Sequence, residues 1–182
     1  MMKLSIHALA VETFVPMLRT VSQILDKGAA HAREKQIEVA TLGDARLAPD
    51  MYPLARQVQL ACHYAADAAA RLTGGEPPPL DTGEESLDAL KARIERTIAD
   101  LQKVPATAFD GAEARVIAFP IDDERGFEMS GLQFLREWSL PHFYFHVVTA
   151  YDILRHQGVD IGKRDYMSHV GAYIRPRGKP QS

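Results

Sequence analysis

The chain has 182 residues, of which 46% are apolar and 25% are charged, and its formal net charge is −3. These values are typical of a single globular domain that folds without disulfides. Such a mildly acidic chain does not favour binding to nucleic acid or to anionic membranes, and no apolar run is long enough to span a bilayer. The single cysteine rules out an intramolecular disulfide and indicates a cytoplasmic protein.

Apolar spacing predicts a first helix over residues 7–25, continuing to a point between 28 and 35. Pro16 lies inside it and is expected to kink or break it, because proline has no N–H to donate. A polar connection follows. Asp50 can cap the second helix, Pro53 fits its first turn, and Gly74 is expected to end it.

A third helix is predicted from residue 84 or 86 to about 104. Residues 115–119 and 127–129 have a strand-like pattern around a turn and predict a β-hairpin. The fourth helix is expected from about 131 to 158, with a bend or restart at Pro141. The pattern predicts an all-α protein of four long helices with a short hairpin before the last one. Its single domain covers residues 1–174, and a basic tail covers 175–182.

The fourth predicted helix carries two histidines on its apolar stripe, His142 and His146. Their directions around the helix differ by about 40°, and both lie on its apolar stripe, so the rings should point into the core one turn apart. Two neutral imidazoles at this spacing can share one Zn²⁺, Ni²⁺, Fe²⁺ or Mn²⁺. The alternative is a pair of half-buried histidines that bond to neighbours such as Thr149, Tyr151 or a backbone carbonyl. The H-x-x-x-H pattern alone leaves both possibilities open.

Several segments resemble the bacterial family known as domain of unknown function 1993, within the DinB/YfiT-like superfamily. They are PLARQVQLAC, ARLTGG and LPHFYFHVVTAYDILRHQGVDIGKRDYM. The resemblance covers nearly the whole chain and implies an antiparallel four-helix bundle, often dimeric, with no assigned activity. The resemblance further implies that, in the wider superfamily, a histidine on the second helix joins two on the fourth to hold a divalent metal. Some members use that metal to activate a low-molecular-weight thiol for transfer.

Carried over to this chain, the resemblance implies a metal site made by His142, His146 and His63, since His63 is the only histidine on the second helix. Helical phase places His63 about 140° from Val58 on the apolar stripe. Either the helix is rotated at this end of the bundle, or His63 is not a ligand. His7, on the apolar stripe of the first helix, is the alternative third ligand.

A second polar group lies on one side of the second helix and consists of Arg56, Gln59 and His63, with Tyr52 close by. It is either a solvated face or one wall of a polar pocket or dimer interface, where Arg56 could hold a carboxylate. Cys62 lies near the apolar stripe and is expected to be a small buried residue and not a nucleophile.

Two functional hypotheses follow. The first is a metal-dependent hydrolase or thiol transferase, in which an open position on the metal lowers the pKa of a bound water or thiol. The second is a non-catalytic dimeric bundle, or a small-ligand binding module, that needs no complete metal site. The orientation of His63 distinguishes them, and a homodimer is expected in either case.

Overall fold

A computed structural model of the chain describes residues 5–81, 83 and 86–176. This part of the chain is mostly helical and contains one two-stranded sheet. Its long helices are α1 (Ile6–Lys35), α3 (Leu54–Thr73), α4 (Leu87–Lys103) and α6 (Leu140–His156). Its shorter elements are α2 (Val39–Asp44), β1 (Val116–Pro120), β2 (Gly126–Ser130), α5 (Gly131–Gln133) and α7 (Lys163–Tyr166). The four predicted helices and the hairpin are therefore present, and α2 lies where a polar connection was predicted.

Helix α1 begins at a capped residue and continues through its proline. The Ser5 hydroxyl accepts a hydrogen bond from the N–H of Ala8 at 3.1 Å. Pro16 removes one internal hydrogen bond, but Phe14 and Leu18 beside it are fully buried. Because this packing stabilises the helix more than the lost bond weakens it, the expected break at Pro16 does not occur.

Helices α1 and α6 run in the same direction. Phe14 packs against Phe143 near the start of both helices, with ring centroids 4.8 Å apart. Gly28 approaches Leu154 near their ends, where a Cβ on the glycine would lie 3.0 Å from the leucine side chain. Large side chains at one end and a glycine at the other let the two helices pack along their length.

Helix α3 runs opposite to α6, because its earlier residue Gln57 contacts the later His146, while the later Tyr64 contacts His142. Helix α4 in turn runs opposite to α1. Asp26, late in α1, pairs with Lys91, early in α4, and His7 at the start of α1 contacts Phe109, which follows α4.

Helices α3 and α4 consequently run in the same direction, so the antiparallel order implied by the resemblance holds for only some of the neighbouring pairs. The connection between them explains this arrangement. Residues 74–86 can extend about 40 Å, whereas α3 is about 30 Å long, so the chain can return along α3 before α4 begins. A short connection would have forced the two helices to be antiparallel.

The segment before α6 has a π-helical backbone over Phe134–Ser139. The N–H of Leu140 donates to the carbonyl of Leu135, five residues back. Pro141 follows at once and has no N–H to donate, so the ordinary hydrogen-bond ladder is interrupted here in any case. The interruption predicted at Pro141 is therefore a π-helical segment that directly precedes the proline.

The hairpin packs on the helices through its aromatic side chains. Phe119 of β1 is paired with Phe127 of β2, and its ring also contacts Trp138 at 5.1 Å. The guanidinium of Arg71, on α3, lies 4.8 Å from the centre of the Phe119 ring. These contacts give a two-stranded sheet the support that it lacks alone.

Among the helices of the described residues, none has the length and apolarity needed to cross a membrane. Two predictions lie partly beyond the described residues. These are the alternative start of the third helix at Glu84 and the basic tail from residue 177 onward. The described start of α4 follows Ser86, whose hydroxyl accepts from the N–H of Ala89 at 3.2 Å.

Candidate functional site

His142 and His146 of α6 both contact a tyrosine of α3. The His142 ring stacks on Tyr64 with centroids 4.5 Å apart and planes 27° apart. The His146 ring stacks on the same Tyr64 with centroids 5.5 Å apart and planes 11° apart. One turn of α6 separates the histidines, so a single ring on the opposing helix can contact both. The predicted pair is therefore brought together at the α3–α6 interface.

Each imidazole is held through its Nδ1 atom. The Nδ1–H of His142 donates to the carbonyl of Trp138 at 2.8 Å, and that of His146 donates to Oε1 of Gln57 at 2.7 Å. The Gln57 amide is oriented by its own Nε2–H, which donates to the carbonyl of Tyr52 at 3.0 Å. Because the partners of both Nδ1 atoms are acceptors, both rings carry a proton on Nδ1, and Nε2 is the lone-pair atom of the neutral tautomer.

The electrostatic environment keeps His146 and Tyr64 uncharged at neutral pH. Burial, the neighbouring His142 and the Arg56 guanidinium, in that order, lower the pKa of His146 from 6.5 to about 4. Burial also raises the pKa of the Tyr64 phenol. At neutral pH the site therefore offers a neutral imidazole as hydrogen-bond acceptor and a protonated phenol as donor.

Aromatic side chains continue from the histidine pair toward the surface on both sides. Trp138 lies 4.4 Å from His142, and Phe145 lies 5.3 Å from His146, measured between ring centroids. Trp138, His142 and Tyr64 are half-buried, and Phe145 is 58% exposed. We call these five residues the aromatic face. It has the apolar surface and the few polar atoms that small planar molecules require.

The other two candidate ligands lie elsewhere. His63 is half-buried and lines a cavity between α3 and α4; its ring meets the edge of Tyr64, with centroids 5.6 Å apart. Burial, ahead of its charged neighbours, lowers the pKa of His63. His7 lies in the first turn of α1, with its ring 5.4 Å from Phe109. The structure therefore brings together His142 and His146, but not His63 or His7.

The fit of a metal to the histidine pair can be judged from what α3 presents to it. Gln57 and Tyr64 contact the pair, and the amide oxygen of Gln57 is already bonded to His146. Within the described ranges, no three or more His, Cys, Asp and Glu side chains are grouped so that they could hold a metal ion. The described residues thus supply two imidazoles and not the three ligands that the resemblance implies.

The polar residues on the other side of α3 hold the connection to α4. The Arg56 guanidinium donates to Oε1 of Gln59 at 3.2 Å and to the carbonyl of Asp81 at 3.3 Å. The Gln59 amide donates to the carbonyl of Gly83 at 2.7 Å. Arg56 also lies over the ring of Tyr52. Arg56 and Gln59 are therefore not a simple solvated face, and His63, the third member of the group, lines the α3–α4 cavity.

Sequence reasoning did not identify Gln57 and Tyr64 as parts of the site. They are seven residues apart, which is two helical turns, and so lie on the same face of α3. This spacing was a usable signal, but neither residue type by itself indicates a site. His63, one position from Tyr64, is the residue that sequence reasoning selects, because histidine is a common metal ligand.

Comparison with known proteins identifies the family. A family model described as "Domain of unknown function (DUF1993)" matches residues 6–167. A solved structure described as a DinB family member protein from Shewanella denitrificans is 36% identical in sequence, with a TM-score of 0.84. That alignment covers 96% of this chain and 95% of the other. No curated protein matches. These matches confirm the resemblance, and the chain belongs to the DUF1993 family of DinB-like proteins, whose function is unknown.

Proposed function

We propose that this DinB-like chain binds a small planar molecule on the aromatic face and needs no metal to do so. One observation carries the proposal. Two imidazoles stack on Tyr64 with their Nδ1–H groups bonded to oxygen, and within the described part of the chain no donor reaches either Nε2. A ligand N–H or O–H can supply that missing hydrogen bond.

The chemistry of the pair favours recognition over acid–base catalysis. A base with a pKa of about 4, as in His146, is a poor proton acceptor near pH 7. It remains a good hydrogen-bond acceptor, because its lone pair is free at that pH. The rings of Trp138, Tyr64 and Phe145 would contact the faces of the bound molecule. The ligand class is therefore an uncharged aromatic molecule with one hydrogen-bond donor.

The test compares phenol, which has an O–H donor, with anisole, which has the same ring and no donor. Trp138 is the only tryptophan of the sequence, so its fluorescence reports binding at this face. We expect phenol to bind about tenfold more tightly than anisole, as one hydrogen bond of about 1.4 kcal/mol predicts. The preference should disappear in His142→Phe and persist in His156→Phe, a surface control on α6. Equal affinities in wild type would overturn the proposal.

A metal-dependent enzyme, whether a hydrolase or a thiol transferase, is the second candidate. Its support is that histidines with Nδ1–H held by an oxygen and Nε2 available are arranged as metal-binding histidines usually are. The site proposed in the sequence analysis, His142, His146 and His63, would then need His63 to reach the pair. The test is the metal content of untagged protein after exposure to Zn²⁺, Ni²⁺, Fe²⁺ or Mn²⁺. Stoichiometric metal that is lost in His146→Ala supports this candidate, and its absence in wild type excludes it.

We also propose that the chain is a four-helix bundle of the DinB kind and forms a homodimer in the cytoplasm. The dimer is supported by an exposed apolar strip on α6, where Phe145 is 58% and Val148 is 39% exposed. The buried thiol of Cys62, the single cysteine of the sequence, fits a reducing compartment. Light scattering should give the mass of a dimer for wild type and of a monomer for Val148→Glu. A monomeric wild type would overturn the dimer.

A further inference from the structure

A second cavity lies between α3 and α4, apart from the aromatic face. Its volume is about 410 Å³, and none of the histidines of α6 lines it. On the α3 side, its wall consists of the small side chains Ala66, Ala69 and Ala70. On the α4 side it is bounded by Leu101 and Val104. Cavities of this size and apolar character bind small molecules in other proteins.

The third wall of this cavity is Pro78-Pro79-Leu80-Asp81, in the connection between the two helices. This wall is tied to both helices. The Arg93 guanidinium on α4 pairs with the Asp81 carboxylate at 2.7 Å, and Arg56 on α3 donates to the Asp81 carbonyl at 3.3 Å. Consecutive prolines also restrict the backbone of the segment. The cavity is therefore held open by its walls, and its apolar lining is available to a ligand.

The cavity lining carries two carboxylates and two guanidiniums, and Lys103 outside the lining pairs with one of the carboxylates, so one guanidinium is left over. Asp81 is paired with Arg93, and Asp100 is paired with Lys103 at 2.8 Å. The backbone N–H of Gly83 and then Arg93 lower the pKa of the Asp81 carboxyl, so that pair stays charged at neutral pH. His63 is neutral there, because burial lowers its pKa.

Arg96 is the fourth charged residue of this lining and lies at its exposed rim. Among the described residues it has neither a hydrogen bond nor an ion pair, so its guanidinium can take up a bidentate acid group. We propose that the α3–α4 cavity binds a small monocarboxylate, with the apolar body against the alanines of α3 and the carboxylate on Arg96. This site is independent of the function proposed for the aromatic face.

The probes are benzoate, its neutral analogue benzamide and the cation benzylamine. They are titrated into the full chain and followed by amide NMR shifts, which also show where each probe binds. We expect benzoate to bind about tenfold more tightly than benzamide, and benzylamine to bind least. The shifts should map to residues 62–73 and 93–104. Cys62, the only cysteine, lines the cavity, so saturating benzoate should also slow its alkylation by iodoacetamide.

Three variants make the test specific. Arg96→Gln should abolish the preference for benzoate, while Arg33→Gln, on the exposed end of α1, should retain it. Ala70→Leu should fill the cavity and weaken all three probes, with circular dichroism confirming that it folds. Equal binding of benzoate and benzamide, shifts at Trp138 and His142 instead, or no binding in the millimolar range would each overturn the proposal.

Discussion

The Nδ1 atom of His146 lies 2.7 Å from Oε1 of Gln57, across the interface between α6 and α3. This bond fixes the tautomer of a histidine that is 7% exposed, and it leaves Nε2 as the ring atom that can accept a hydrogen bond from a ligand. It also gives a buried polar group its partner, which the interface needs. The contact therefore links the chemistry of the site to the stability of the fold.

The stability of the protein should fall as the pH is lowered from 6.5 to about 4. The pKa of His146 is about 4 in the folded chain and 6.5 for a histidine free of its surroundings, so the unfolded chain binds the proton more readily. The stabilisation is complete above pH 6.5 and is lost as the pH falls, by up to about 3 kcal/mol from this group. Urea unfolding at a series of pH values measures it. His146→Gln should flatten the curve in this window, and an unchanged slope would contradict the assignment.

Gln57→Glu should raise the pKa of His146. A carboxylate in the position of the amide would favour the imidazolium, because an opposite charge at hydrogen-bond distance stabilises the charged form. NMR titration of the imidazole resonances gives the pKa directly. Gln102→Glu, on the exposed side of α4, is the matched control and should leave it unchanged. If both variants gave the wild-type pKa, the contact between Gln57 and His146 would not exist in solution.

Tyr64 should contribute mainly through its ring. It stacks on both imidazoles, and each aromatic pair adds about 1 kcal/mol beyond the burial of apolar area. Tyr64→Ala should therefore lower the free energy of unfolding by about 2 kcal/mol, and Tyr64→Phe by less than about 0.5 kcal/mol. Denaturant unfolding compares the two. A phenylalanine variant as unstable as the alanine variant would show that the hydroxyl dominates.

Gly131 marks a close approach that supports the start of the last helical segment. A Cβ at this position would lie 1.9 Å from the carbonyl oxygen of Ala112, so the backbone would have to move. Gly131→Ala should cost about 3 kcal/mol, at the upper end of overpacking effects. Gly43→Ala is the control: a Cβ there meets no atom within 4 Å, and it should not destabilise the chain. Equal thermal midpoints for the two variants would contradict this expectation.

The sequence predicted the elements better than their order in space. The apolar stripes and the stops at Gly74 and Pro105 located three helices within a few residues. The parallel course of α3 and α4 could not be read from those stripes, because periodicity gives the face of a helix and not its direction. It depends on how the chain returns through Pro78 and Asp81. Asp81 contacts both Arg93 of α4 and Arg56 of α3, which are far apart in sequence.

The candidate site was also predicted only in part, because sequence spacing reports contacts within one helix and not contacts between helices. The pairing of His142 with His146 follows from one turn of a helix, which sequence spacing does report. Their partners Gln57 and Tyr64 come from another helix, so identifying them requires the relative rotation of α3 and α6. Helical phase did indicate that His63 faces away from the apolar stripe, and in the structure His63 lines the α3–α4 cavity.

The most direct test of the central proposal is a titration of phenol, followed by Trp138 fluorescence, in protein treated with a metal chelator. We predict that the affinity equals that of untreated protein and that it falls about tenfold in His142→Phe, since one hydrogen bond to an imidazole is lost. Binding that disappears after chelation and returns with added Zn²⁺, Ni²⁺, Fe²⁺ or Mn²⁺ would contradict a metal-independent site.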